Sequence, residues 1–209
     1  MAAGNSTISA ALNAVCKALI ASEADLNALD RAIGDGDHGH NLSRAARSLL
    51  DMGEELSALP PGEMLARAGK SIVMSAGGAS GPLYGTMLLE MGKALPAEPA
   101  ATDWAAAFTA GVAGVARRGR SAEGDKTMLD VLAPVARSLE QNASVPAGTA
   151  LAAMRVAAEE GLAAQRALRA QRGRAAYVGE RSVGQDDPGA ASSLLCISTV
   201  AQCLTEYSS

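Results

Sequence analysis

Apolar residues at helical spacing run the length of this chain, and glycine or proline interrupts them at almost every point where one run gives way to the next. This punctuation constrains the fold most, because it demands a succession of medium-length helices joined by short connections. Ile8, Leu12, Val15 and Leu19 make the first stripe, with Ser6 or Thr7 placed to cap it. Ser22, three residues before Asp25, reads as the cap of a short helix that carries Leu26 and Leu29 inward. A third helix is expected over about 39–56, a fourth after Pro60-Pro61 and a fifth from Pro82. Thr102 is placed to cap the next, and Thr127 starts one that Pro134 should bend. Pro146 opens the longest pattern, running to about Arg172, and Pro188 starts the last helix after a long polar loop over 173–189.

β-Branched and aromatic residues, which fill pleated sheets, are scarce: there are one Trp, one Phe and three Tyr, while Ala and Leu dominate. The expectation is an all-α fold, a single domain over 1–209 of about eight helices.

The connections are of two kinds, and the kinds alternate. Residues 29–42, 77–81, 119–126 and 173–189 are glycine-rich and polar, whereas Pro60-Pro61, 96–101 and 142–146 are proline-rich and bland. In an up-and-down arrangement alternate connections lie at the same end. One end of the bundle should therefore carry the chemistry.

The first polar loop is the most informative. It holds Asp30, Asp35 and Asp37 within eight positions, among Gly34, Gly36 and Gly39, and is followed by His38 and Asn41. An acidic loop is often only a solvated turn, but this one carries more charge than a turn needs. Carboxylates so crowded repel unless a divalent cation sits among them, and Asp and Asn oxygens suit Mg²⁺ shared with a phosphate. Gly34-x-Gly36-x-x-Gly39 has the letters of a dinucleotide fingerprint, but the lead-in is helical where that motif needs a strand. An EF-hand counted from Asp35 places Ala46 where a bidentate Glu is required.

The loop Gly77-Gly78-Ala79-Ser80-Gly81-Pro82 offers free backbone N–H groups, a hydroxyl and a helix N-terminus, the elements of an anion cradle. No Gly-Lys-Ser/Thr follows, so it is not a Walker A loop.

A net charge of −4 without a basic run argues against nucleic acid as a partner. Cys16, Cys196 and Cys203 lie in apolar helical patterns without metal-ligand spacing and are expected to be reduced thiols. The N-terminus does not read as a signal peptide and no apolar run is long enough to span a membrane, so a cytoplasmic location is expected.

Four segments together carry a family resemblance: 29–41 (LDRAIGDGDHGHN), 75–86 (SAGGASGPLYGT), 124–134 (GDKTMLDVLAP) and 173–193 (GRAAYVGERSVGQDDPGAASS). With them the chain resembles the DhaL family, the nucleotide-binding subunits of dihydroxyacetone kinases. The resemblance implies a barrel of eight antiparallel helices with ADP or ATP at one end. Asp30, Asp35 and Asp37 would hold two Mg²⁺ ions. His38, Gly39, His40 and Asn41 would bind the phosphates together with Gly78, Ala79 and Ser80. Gly119, Thr127, Met128, Arg174, Asp187, Pro188 and Gly189 would line the rest of the nucleotide.

The implied chemistry is phosphoryl transfer to a small ketose held by a histidine of a separate ketose-binding subunit. The chain alone would be inactive and would need no general base of its own. The donor is either a phosphoprotein of the phosphoenolpyruvate phosphotransferase system or exchangeable ATP, and a free-standing chain of this length fits the former. A homodimer is compatible with the family. Alternatives are an ATP-dependent kinase subunit for another ketose, such as a four-carbon sugar, and a non-catalytic nucleotide-sensing regulator. Fatty-acid kinases, which carry further fused domains, fit less well.

Overall fold

Eight helices close a ring. In the computed structural model, which describes residues 2–207 and side chains from Ser6 onward, α1 (Ala2–Ala21) packs on α3 (His38–Asp51), and α3 on α5 (Pro61–Ser75). The ring continues through α6 (Ser80–Ala94), α7 (Ala101–Gly119), α8 (Leu129–Gln141) and α9 (Ala147–Gln165) to α10 (Pro188–Tyr207), which returns to α1. Two short helices stand outside this order: α2 (Glu23–Ile33) lies against α3 and α10, and α4 (Gly53–Ser57) against α1 and α5. Among the described residues there are thus ten α-helices and one 3-10 helix, Arg174–Ser182, and no strand. The expected eight-helix barrel is present, with the short helices as additions to it.

Close approach of small residues holds the ring tight. A Cβ built on Gly69 of α5 would lie 2.7 Å from the Gly85 carbonyl of α6, and one on Gly62 would lie 2.7 Å from the Gly92 carbonyl. Pro134 is accommodated in α8 for a related reason. Its missing N–H leaves the Asp130 carbonyl without its helical partner. Gly161 of α9 packs directly onto that carbonyl, where any Cβ would collide.

Several helix ends differ from expectation. Ser6 and Thr7 lie inside α1, which begins at Ala2. Ser22 stands at the N-cap of α2 without a side-chain bond to it. The helix expected over 39–56 is broken at Met52 (φ −93°, ψ 7°), although Leu56 beyond the break stays buried. Thr102 does not cap α7; the Asp103 carboxylate accepts the Ala100 N–H at 2.8 Å and closes that end from inside the helix. Helix α9 stops at Gln165, short of Arg172, because a lysine side chain and the Gly184 N–H take its last carbonyls. The loop beyond it is not structureless, since it contains the 3-10 helix.

The core lies on the inner faces of the ring in two clusters, one around Val131, Leu132 and Phe108 and one around Cys16, Leu49 and Met64. An apolar cavity of about 1350 Å³ runs among them, lined by Leu12, Leu49, Leu65, Leu88, Phe108 and Ile197 among others, and by Pro60, Pro99 and Val145 of the bland connections. None of the sequence-predicted site residues lines it. No helix among the described residues is long and apolar enough to cross a membrane.

Candidate metal and nucleotide site

Asp30 sits in the last turn of α2 and is 7 % exposed. Its Oδ2 accepts the N–H groups of Asp37 (2.8 Å) and His38 (3.2 Å), so this carboxylate satisfies the amides that open α3. Gly34 has to be glycine here, because a Cβ would strike the other oxygen of Asp30. With Gly36 at φ +81° the chain doubles back, and carboxylate oxygens of Asp30, Asp35 and Asp37 come within 4.8 Å of one another. At that separation each pair repels by about 1 kcal/mol in water and by about 3–4 kcal/mol at the effective dielectric of a protein surface. Asp30 is fixed by backbone donors while Asp35 and Asp37 remain exposed. An all-oxygen set with one rigid and two open members fits Mg²⁺, which keeps water and shares its shell with phosphate.

Arg174, the first residue of the 3-10 helix, places its guanidinium 3.0 Å from Asp35 Oδ2. Expected on the nucleotide side, it reaches the acidic loop itself.

Behind the acidic loop, Asn41 (4 % exposed) abuts the loop between α5 and α6. A Cβ on Gly77 would collide with its Oδ1, and Gly78 turns at φ +61°. Arg44 fixes this contact, donating to the Ser75 carbonyl at 2.6 Å and to Asn41 Oδ1 at 3.2 Å. Ser80 then begins α6, whose first-turn amides face the same end. His38 joins three elements, with Nδ1 3.1 Å from Ser80 Oγ and Nε2 2.9 Å from Ser192 Oγ of α10. Burial pushes its pKa down and favours the neutral ring, against the opposing pull of Asp30 and Asp37. His40 points away; its ring lies 3.4 Å from Glu23 and its N–H donates to Asn27.

The other two polar loops are knitted to each other. Asp130, 5 % exposed, accepts the N–H groups of Gly124 and Thr127, each at 2.7 Å, and so shapes the loop ahead of α8. Thr127 Oγ1 accepts the Leu129 N–H, and Met128 is buried. Lys126 is wholly buried at φ +59°, its amine donating to the carbonyls of Gln165 and Arg166. Gln165 also receives the Asp187 N–H, and Arg166 grips Asp186 through two bonds of 2.6 and 2.7 Å. Asp187 Oδ2 accepts the Ala190 N–H at 2.8 Å, capping α10, and Gly189 lies against Met128. Burial raises the Asp187 carboxyl to about 7; the Ala190 amide and Lys126 pull the other way, and Asp130 adds to the rise. Gly119 closes α7 beside Leu83 of α6.

The acidic loop, the 77–80 loop and the start of α10 are therefore in direct contact, and the Met128–Gly189 pair joins the remaining loop to α10. Asp130, Lys126, Gln165, Tyr84 and Ser192 organise the site and were missed. Only Asp130 carried a signal, since Thr127-x-x-Asp130 has the spacing of a helix-start box.

The model of the DAK2 domain matches residues 32–202. The chain belongs to the DAK2 domain family. Among DAK2 relatives, the ADP-binding subunit DhaL of the PEP-dependent dihydroxyacetone kinase of Escherichia coli (strain K12) is 38% identical over 193 residues, covering 89% of this chain and 91% of that one. The corresponding subunit of kinase 1 from Listeria innocua is 40% identical over 178 residues, 85% of each chain. D-erythrulose kinase of Mycolicibacterium smegmatis is 36% identical over 97% of this chain, which spans only 36% of that enzyme. The dihydroxyacetone kinase of C. freundii in complex with AMP-PNP and Mg²⁺ superposes with a TM-score of 0.74 at 26% identity, over 93% of this chain and 33% of that one. The DAK2 fold seen here thus corresponds to about a third of that larger protein.

Proposed function

We propose that this chain is the nucleotide-binding, phosphoryl-transferring subunit of a dihydroxyacetone kinase, working with a separate ketose-binding subunit. The convergence of Asp30, Asp35 and Asp37 beside the cradle of His38, Asn41 and Ser80 supports this most. Two Mg²⁺ ions held by the three aspartates would neutralise phosphate oxygens of ADP or ATP, which is most of what phosphoryl transfer needs. The chain's own part is to position. His38, Gly39 and Asn41 with Gly78, Ala79 and Ser80 hold the phosphates, and Gly119, Thr127, Met128, Arg174 and Asp187-Pro188-Gly189 hold the nucleoside. The acceptor hydroxyl arrives on the partner at the exposed side of Asp35 and Asp37.

The relatives of this length act in PEP-dependent kinases, which favours a phosphotransferase-system phosphoprotein as donor and the cytoplasm as location. The D-erythrulose kinase relative favours a second reading, a four-carbon ketose as acceptor. Reconstitution with a dihydroxyacetone-binding subunit tests the proposal. A phosphorylated triose should form when a phosphoprotein or ATP is supplied, and absence of product with either donor would contradict it.

A further inference from the structure

Tyr84 lies in the second turn of α6 with its hydroxyl 2.7 Å from Ser192 Oγ, 3.0 Å from Ser193 Oγ and 3.4 Å from the Gly189 carbonyl. Ser192 is wholly buried, and its Oγ stands 2.9 Å from His38 Nε2 and 3.1 Å from the Gly189 carbonyl. His38 Nδ1 is 3.1 Å from Ser80 Oγ. A single line of hydrogen bonds leads from Tyr84 through Ser192 and His38 to Ser80.

A neutral imidazole donates from one nitrogen and accepts at the other, so this line has two directions. In one, Tyr84 donates to Ser192, Ser192 donates to Nε2, and Nδ1–H donates to Ser80, leaving the Ser80 proton free for the cradle. In the other, Ser192 donates to the Gly189 carbonyl, Nε2–H donates to Ser192, and Ser80 spends its proton on Nδ1. Ser192 is closer to the imidazole than to the carbonyl, which favours the first.

We propose that Tyr84 is a positioning residue: by donating to Ser192 it fixes the proton of His38 on Nδ1 and thereby leaves the Ser80 hydroxyl free to donate to a phosphate oxygen. Without the phenol hydroxyl, Ser192 Oγ is a buried acceptor whose nearest remaining nitrogen donor is the His38 ring. The imidazole then carries its proton on Nε2 and takes the Ser80 proton for itself. The inference rests on the nucleotide reading for its purpose, but its geometry does not.

The chain has two histidines, and exposed His40 serves as an internal reference. Long-range ¹H–¹⁵N correlation on the chelator-treated, nucleotide-free protein reads the tautomer directly. The expected result is Nδ1–H in the wild type and Nε2–H in Tyr84→Phe, with Mg-ADP affinity lowered about tenfold in the variant. An Nε2–H ring in the wild type, or an unchanged tautomer in Tyr84→Phe, overturns the proposal. The wild-type spectrum alone decides it should the variant not fold. A wild type that shows the Nδ1–H ring but binds no ADP would contradict the nucleotide reading and leave the relay standing.

Discussion

The buried amine of Lys126 donates to the carbonyls of Gln165 (3.0 Å) and Arg166 (3.2 Å), so a loop residue ahead of α8 closes the end of α9. Its backbone is held at φ +59°, which a non-glycine residue tolerates only where its surroundings impose it. Lys126→Met keeps the apolar stem but removes a buried donor from two carbonyls, leaving Gln165 only the Leu168 N–H and Arg166 only the Gly184 N–H. The expected loss is about 1–3 kcal/mol in urea denaturation, with weaker ADP binding because Met128 follows directly. An unchanged urea midpoint would show that the amine does not hold the two loops together.

Asp187 gives stability a pH dependence whose sign is fixed by its raised carboxyl. Between its ordinary value of 3.8 and about 7 the folded state holds a proton that the unfolded chain releases. Stability contributed by this group is therefore full below pH 3.8 and is lost as the pH rises towards 7. Metal-free Asp187→Asn should lose this downward slope when urea midpoints are compared between pH 5 and pH 7.5. A wild type and variant of equal slope would contradict it.

Gly161→Ala should be costly in spite of its size. The added Cβ meets the Asp130 carbonyl, and that residue shapes the loop through Gly124 and Thr127. A destabilisation of about 1–3 kcal/mol is expected from thermal or urea unfolding.

Arg174 sits on Asp35 through an exposed pair, so Arg174→Ala should change stability by less than about 1 kcal/mol. Removing this competing cation should tighten Mg²⁺ binding by up to about fivefold in the absence of nucleotide, measured by calorimetry at low salt. ADP affinity should fall in the same variant. Weaker Mg²⁺ binding without nucleotide would place the side chain in a different role.

Local chemistry made much of this legible in the sequence. Pro61 and Pro188 begin α5 and α10 as their fixed φ allows, and the alternation of glycine-rich and proline-rich connections anticipated that the polar loops meet. What was not legible depends on distant partners. Nothing near Gln165 signals that α9 ends there, because Lys126, 39 residues earlier, supplies the capping amine. The periodic Leu168 invited a longer helix. Tyr84 likewise reads as an ordinary apolar-face residue until α10 brings Ser192 and Ser193 to its hydroxyl. Among the acidic residues, Asp30 and Asp130 look alike in sequence. Asp130 spends both oxygens on its own loop, whereas Asp30 joins Asp35 and Asp37.

The central claim is that Asp30, Asp35 and Asp37 form a Mg²⁺ site on which nucleotide binding depends. Titration calorimetry of ADP into the purified chain, with Mg²⁺ and with excess chelator, tests it most directly. The account predicts binding by the wild type only when Mg²⁺ is present, and loss of that binding in Asp35→Ala and Asp37→Ala with the fold intact by circular dichroism. Equal ADP binding by the wild type and both variants, or binding indifferent to the chelator, would contradict it.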